Sequence, residues 1–207
     1  MFGLIDTQHG QIAKAFRDQW DCEDVQSDQK KLFRERLRLA KDGNTPIVLE
    51  NCTFEDSASV HERFFLDCND EIRIVARGLR REIFSNTSLV YAAVEFVKKK
   101  NAKLILDMPS SNRNEVLGTA FYNAVIHYAS SVDNIITRFY HVENRNEFIP
   151  DEPSVTFGDN LMLRKKKYQP DGNYSRGEAE VYFNAPEEVA ELSAKVDSAL
   201  EKFEIVK

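Results

Sequence analysis

Three clusters of cationic and hydroxyl side chains carry the chemistry legible in this chain. Arg77-Gly-Leu-Arg-Arg follows a strand-like run, Glu71-Ile-Arg-Ile-Val-Ala, so Arg77, Arg80 and Arg81 stand at a strand end. Ligands of open α/β sheets lie at strand ends, and a guanidinium meets a phosphate with two parallel hydrogen bonds. Salt bridges to the chain's excess carboxylates are the alternative use of the same arginines. The densest positive run is Arg164, Lys165, Lys166 and Lys167, followed by Tyr168. Four cations beside an aromatic ring can grip a phosphate backbone and stack on a base. A strand divides such side chains between its two faces, and lysines also protect a solvated edge strand against aggregation. Ser110, Ser111, Asn112 and Arg113 follow another strand candidate and offer hydroxyl, amide and guanidinium donors near a helix N-terminus. Capping of the next helix accounts for them equally well.

Other groups point more weakly to chemistry. Lys98-Lys-Lys lies at a helix C-terminus, where positive charge complements the dipole. His141, Glu143 and Glu147 are metal-capable side chains, but their spacing matches no standard site, so no metal or other cofactor is expected. Cys22, Cys52 and Cys68 are odd in number and form no C-x-x-C pair, which suits buried small hydrophobes in a reducing setting.

The elements that position these residues follow from periodicity. Ile12, Phe16, Trp20 and then Leu32, Phe33, Leu37, Leu39 recur at helical spacing, giving two short amphipathic helices, the second stopped by Asp42-Gly-Asn-Thr-Pro. Residues 1–45 therefore read as an N-terminal helical extension and 46–207 as an α/β domain. Within the latter, strands are expected at Pro46–Glu50, Glu71–Ala76, Ala102–Met108 and Ile135–Tyr140. Helices are expected between them at Asp56–Leu66, Ser88–Lys100 and Asn114–Ala129. This alternation favours a sheet with parallel strands. Val155–Phe157, Leu161–Lys166 and Ala179–Phe183 then form a hairpin or meander across turn-forming connectors, and Pro186 opens a last helix that reaches Phe203.

A chain of 207 residues with 42% hydrophobic content buries a sizeable core without staples. Its apolar runs are far shorter than the ~20 residues needed to cross a bilayer, and its start carries no signal-peptide pattern, so the expectation is a cytoplasmic protein with no membrane partner. The formal net charge of −6 argues against a protein that coats nucleic acid over its whole surface, and leaves room for a local basic patch.

Asp70-Glu-Ile-Arg-Ile-Val-Ala-Arg, Val155-Thr-Phe-Gly-Asp and Glu178-Ala-Glu-Val-Tyr-Phe-Asn-Ala-Pro, in that order, resemble the early central strand, the strand and turn after the catalytic motif, and the concluding strand of the phospholipase-D-like superfamily. The resemblance runs from about Pro46 to Phe203. It implies a mixed sheet flanked by helices, phosphodiester chemistry by a histidine nucleophile and a lysine, and two motif copies meeting across a dimer. The family's His-x-Lys-x4-Asp signature should fall just before or within Asp151–Asp159, and no His-x-Lys exists anywhere in the chain. No catalytic residue is carried over; Asp159 matches at most a turn aspartate of the pattern.

The expectation is therefore a pseudoenzyme. It is a non-catalytic, homodimeric domain that binds nucleic acid or another phosphate-bearing ligand through Arg77, Arg80, Arg81, Ser110, Ser111, Arg113 and Arg164–Lys167, in a regulatory role. The rival is an acidic interaction or immunity-type module that binds a protein partner.

Overall fold

The computed structural model describes residues 28–43, 46–144, 147–148, 154–166 and 177–206. Helix α1, Asp28–Asp42, precedes strand β1, Ile47–Cys52. Helix α2, Phe54–Asp67, follows, and Thr53 opens it: its hydroxyl accepts from the Asp56 amide while Asp56 accepts from the Thr53 amide, a reciprocal pair that satisfies two orphan donors. Strand β2 is Glu71–Ala76, and after it comes a one-turn helix, α3, Arg81–Phe84, which periodicity alone does not reveal. Asn86 caps α4, Thr87–Val97, by accepting from Ser88 and Leu89. Strand β3, Lys103–Pro109, leads through a 3-10 turn at Ser110–Asn112 into α5, Arg113–Leu117, and then α6, Ala120–Tyr128.

The single helix expected over Asn114–Ala129 is thus two. Gly118 is a poor helix former, and the Thr119 hydroxyl both donates to the Val116 carbonyl and accepts from the Tyr122 amide, ending one helix and capping the next. The remaining strands are β4, Ile135–Tyr140; β5, Ser154–Gly158; β6, Met162–Lys166; and β7, Gly177–Tyr182. Helix α7, Pro186–Leu200, starts on its proline, and β8, Ile205–Val206, closes the chain.

The eight strands form one mixed sheet in the order β1-β7-β6-β5-β2-β3-β4-β8. β2, β3 and β4 run parallel, whereas β5, β6 and β7 form the antiparallel meander expected from the connectors. Because β6 lies between β5 and β7, its lysines do not guard an edge; the solvated-edge reading of Arg164–Lys167 is corrected by the return of β7 across it.

Strand alternation sorts the core to two faces. Ile72, Ile74 and Ala76 of β2 pack with Leu37 of α1, Phe64 and Phe65 of α2 and Phe96 of α4, whereas Val75, Val155, Phe157 and Leu163 pack with Val189, Val196 and Leu200 of α7. The first face holds an aromatic chain, Phe96–Phe65–Phe121–Phe84–His61, with ring centroids 5.7, 5.9, 5.0 and 5.2 Å apart. Full burial of each phenyl ring contributes roughly 1.5–3 kcal/mol. Of the apolar residues expected on α1, Leu37 is buried and Phe33 packs against the core, while Leu32 and Leu39 face outward. Ile12, Phe16 and Trp20 lie outside the described residues.

The turn between β5 and β6 is pinned to the start of β2. Asp159 and Asn160 adopt positive φ of 49° and 55°, a conformation tolerated best by Gly, Asn and Asp. From there the Asp159 carboxylate accepts from the amides of Asn69, Asp70 and Glu71 at 2.7, 2.9 and 2.8 Å. Its role in this fold is that of an anchor. Asp159→Ala is expected to lower stability by about 2–3 kcal/mol, since charge-assisted bonds are lost and alanine lacks the polar side chain that eases aspartate into the left-handed region. Asp159→Asn should lose less. Urea midpoints of the two variants decide; equal stability of wild type and Asp159→Ala would remove the anchor.

Candidate functional site

Sheet register builds the site. Ala76 at the end of β2 stands beside Ser154 of β5, and Ser154 beside Lys166 of β6. Two residues deeper, Ile74, Thr156 and Arg164 form the next row. The chain leaving β2 through Arg77 and Gly78 into α3 roofs this end of the sheet, and Asn112 donates its side-chain amide to the Arg77 carbonyl to hold the loop. Gly78 leaves room for that contact, since a Cβ there would come within 2.9 Å of Asn112 Nδ2.

The result is a cleft of about 390 Å³ lined by Arg77, Arg80, Arg81, Arg164 and Lys166 together with His61, Glu82, Asn112, Glu115 and Ser154, with Ile83 and Phe84 as apolar wall. Five cationic residues thus share it with two carboxylates among the described residues. Arg164 and Arg77 are its innermost charges, only 2% and 6% exposed, whereas Arg80 is half-buried and Arg81 exposed. One Arg164 nitrogen donates to the Ser57 hydroxyl at 3.1 Å, which fixes the guanidinium against α2. Arg80 lies 5.5 Å over the Phe54 ring, a contact that steadies a cation without neutralising it.

His61 sits beneath this layer, buried between α2 and β5. Its Nδ1 lies 2.7 Å from the Ser57 carbonyl and its Nε2 3.1 Å from the Thr156 hydroxyl. A carbonyl only accepts, so Nδ1 carries the proton and Nε2 accepts from threonine. Burial first, and the Arg164 charge second, pull its pKa down to about 3, against the Ser57 carbonyl. With a folded pKa below the unfolded one, the ring binds a proton more readily in the unfolded chain, so stability is full above about pH 6.5 and falls as pH drops towards 3. Relative to a His61→Gln variant, the wild type should lose about 2 kcal/mol between pH 7 and pH 5. Parallel stability curves over that range would show that the ring charges in the folded state.

The structure brings together five of the sequence-identified residues and separates the others. Arg77, Arg80, Arg81, Arg164 and Lys166 meet in the cleft. Lys165 projects from the opposite sheet face, where it pairs with Glu180 at 2.9 Å and lies 5.9 Å over the Tyr182 ring. Arg113 stacks 5.5 Å over Phe139, and Ser110 and Ser111 lie outside the lining, leaving Asn112 as that turn's contribution. Lys167 falls outside the described residues. Lys98 pairs with Glu95 at 2.6 Å. Among the described residues no group of three or more His, Cys, Asp or Glu side chains converges to hold a metal, and no helix is long and apolar enough to cross a membrane. Cys68 is buried, and that burial foremost, then Asp159 and Asp67, raises its thiol pKa, so it stays protonated.

Sequence reasoning missed a second charged cluster, on the α7 face. Asp107 of β3 is fully buried and takes Arg73 Nε at 2.7 Å on Oδ2, and Arg138 Nε and Nη2 at 2.6 and 2.8 Å on Oδ1 and Oδ2. Tyr140 donates to Oδ1 at 3.2 Å, and burial followed by the Asp107 charge pushes its phenol up to about 12. Arg73 also reaches Asp197 of α7 at 2.7 Å, so the cluster ties that helix to the sheet. The available signal was a charge inside each of two apolar strands, Ile72-Arg-Ile and Leu106-Asp-Met. Groups so placed must find partners.

No family model and no curated protein matches the sequence. Among solved structures, the chain is similar to TrmBL2, an archaeal chromatin protein described as showing a novel mode of DNA binding, at 15% identity and a TM-score of 0.53, over 99% of this chain and 70% of that one. It also overlaps Nuc, a phospholipase D family member from Salmonella typhimurium, at 13% identity and a TM-score of 0.46, over 78% of this chain and 99% of that one. NucT from Helicobacter pylori overlaps at 10% identity and a TM-score of 0.46, over 78% and 98% respectively. At such identities the likeness is one of fold. The class expected from sequence, a mixed sheet flanked by helices, is the one observed, and its structural neighbours include phospholipase D family members.

Proposed function

We propose that this chain is a non-catalytic domain that binds nucleic acid or another phosphate-bearing ligand in the cationic cleft. The observation that carries this reading is the convergence of Arg77, Arg80, Arg81, Arg164 and Lys166 on one cavity in a chain of net charge −6. An acidic protein gains nothing in solubility from gathering cations, and a concave electropositive site concentrates anions at its mouth. Arginines in particular match the oxygen geometry of phosphate. TrmBL2, which shares the fold, is described as binding DNA; that property belongs to TrmBL2 and agrees in kind with this reading.

Catalysis is left out of the proposal on chemical grounds. Laying the aspartate of His-x-Lys-x4-Asp on Asp159 puts the lysine place at Ser154, on the cleft wall, and the histidine place at Glu152, outside the described residues. The one histidine of the described lining, His61, is buried with both ring nitrogens engaged, its Nε2 lone pair accepting from the Thr156 hydroxyl, so that lone pair is not presented for attack. A nucleophile needs a free lone pair and a partner that takes up its proton. The binding surface lies within residues 46–207, and we assign the domain a regulatory role.

The test is fluorescence anisotropy with labelled single- and double-stranded DNA and RNA at two salt concentrations, with a phosphodiesterase assay on the same samples. Salt-sensitive binding without cleavage is expected. Absence of binding at both salts would transfer the function to a protein partner, and cleavage abolished by an Arg164 substitution would overturn the non-catalytic assignment.

A further inference from the structure

Resting on that reading, we propose that the cleft takes a terminal phosphate, the phosphomonoester end of a nucleotide or of a single strand, in preference to an internal phosphodiester. The first observation is depth. Arg164 and Arg77, the innermost cations, are almost wholly buried, while Arg80 and Arg81 stand nearer the surface. Internal phosphates of a duplex form a rail with one charge per ~1.7 Å of axis, and such a rail is met by exposed cations arrayed along a surface. Buried guanidinium groups cannot reach out to it; the phosphate must come to them.

Volume and shape give the second observation. About 390 Å³ is the size of a small-molecule pocket. Arg164, two residues deeper along β6 than Lys166, and His61 close its floor. An internal phosphodiester entering such a dead end has two sugar arms, both of which must leave through the same mouth. A monoester has one arm and three free oxygens.

Charge gives the third. A phosphomonoester carries about −1.5 to −2 at neutral pH, roughly twice a diester. The described lining holds five cations against Glu82 and Glu115, a surplus of three. Held neutral, His61 leaves Arg164 as the floor's charge. Ile83 and Phe84 supply an apolar wall against which the ligand's remaining arm can rest.

The experiment compares one single-stranded oligonucleotide carrying a 5′-phosphate, a 3′-phosphate or hydroxyls at both ends, at fixed salt, with adenosine monophosphate and inorganic phosphate as competitors. Wild-type protein should bind at least one phosphorylated form about tenfold or more tightly over the hydroxyl form. Arg164→Lys should shrink that ratio, whereas Arg81→Glu, at the rim, should weaken all three forms alike. Complete displacement by adenosine monophosphate at matched concentrations identifies a free nucleotide as the source, and displacement only by the phosphorylated strand identifies a nucleic-acid end; either supports the proposal. Equal, salt-dependent binding of all three oligonucleotides would overturn it while leaving phosphate binding in the cleft intact, and no binding of any form would overturn both.

Discussion

Replacing Arg80 and Arg81 together with glutamate is expected to weaken binding of single-stranded nucleic acid at least about a hundredfold at moderate salt, with the fold intact. The substitution turns the described lining of the cleft from a surplus of three positive charges to a deficit of one. Both positions tolerate the change structurally. Arg81 is exposed at the start of α3, where an acid suits the helix dipole. Arg80 precedes that helix and makes no side-chain cap, and it lies over the Phe54 ring. The slope of log affinity against log salt should also flatten by about 1.4, since each phosphate contact on a single strand contributes roughly 0.7. Lys98→Glu, at a cation paired with Glu95 away from the cleft, should leave affinity within about twofold. Equal losses at Lys98 and at the two arginines would mean that overall charge, and no particular site, governs binding.

Asp107→Ala is expected to cost about 3–5 kcal/mol of stability, the largest effect of any substitution outside the cleft. Its carboxylate is fully buried and accepts four hydrogen bonds from three side chains, Arg73, Arg138 and Tyr140. Removing it leaves Arg73 buried with only the more exposed Asp197 opposite. Arg138 is about a third exposed and can recover water, which favours the lower end of the range. Burial opposes the charge of Arg73, yet Asp107 and then Asp197 hold its pKa above the ordinary arginine value, so the residue stays charged and cannot escape by losing its proton. Thermal and urea unfolding read the effect directly; a loss under about 1 kcal/mol would mean that water or rearrangement replaces the carboxylate.

Much of the architecture was legible because strand and helix periods are local. Glu71–Ala76, Ala102–Met108 and Ile135–Tyr140 read as strands, and the structure places all three side by side. The meander followed from turn formers at Gly158-Asp-Asn. Strand order was not legible: β5 inserting next to β2, and β7 next to β1, depends on contacts remote in sequence. That order brings Arg164 and Lys166 to the loop carrying Arg77, Arg80 and Arg81, which sequence reasoning had identified as separate clusters. The period of two also explains why Lys165 leaves the cleft while its neighbours line it. Arg113 was misplaced for a different reason, because its ring partner, Phe139, lies on β4 and no local pattern links the two. His61 carried no site signal in the sequence, since a lone histidine on a helix without a following lysine points to nothing until β5 packs against it.

The most direct test of phosphate binding in the cleft is the salt dependence of affinity for a single-stranded oligonucleotide, measured for the wild type across a tenfold range of salt. Each strand phosphate engaged by the cleft contributes about −0.7, so contacts to two or three phosphates predict a log–log slope of about −1.4 to −2. A slope near zero, or no measurable binding at low salt, would contradict the assignment of this cleft to phosphate.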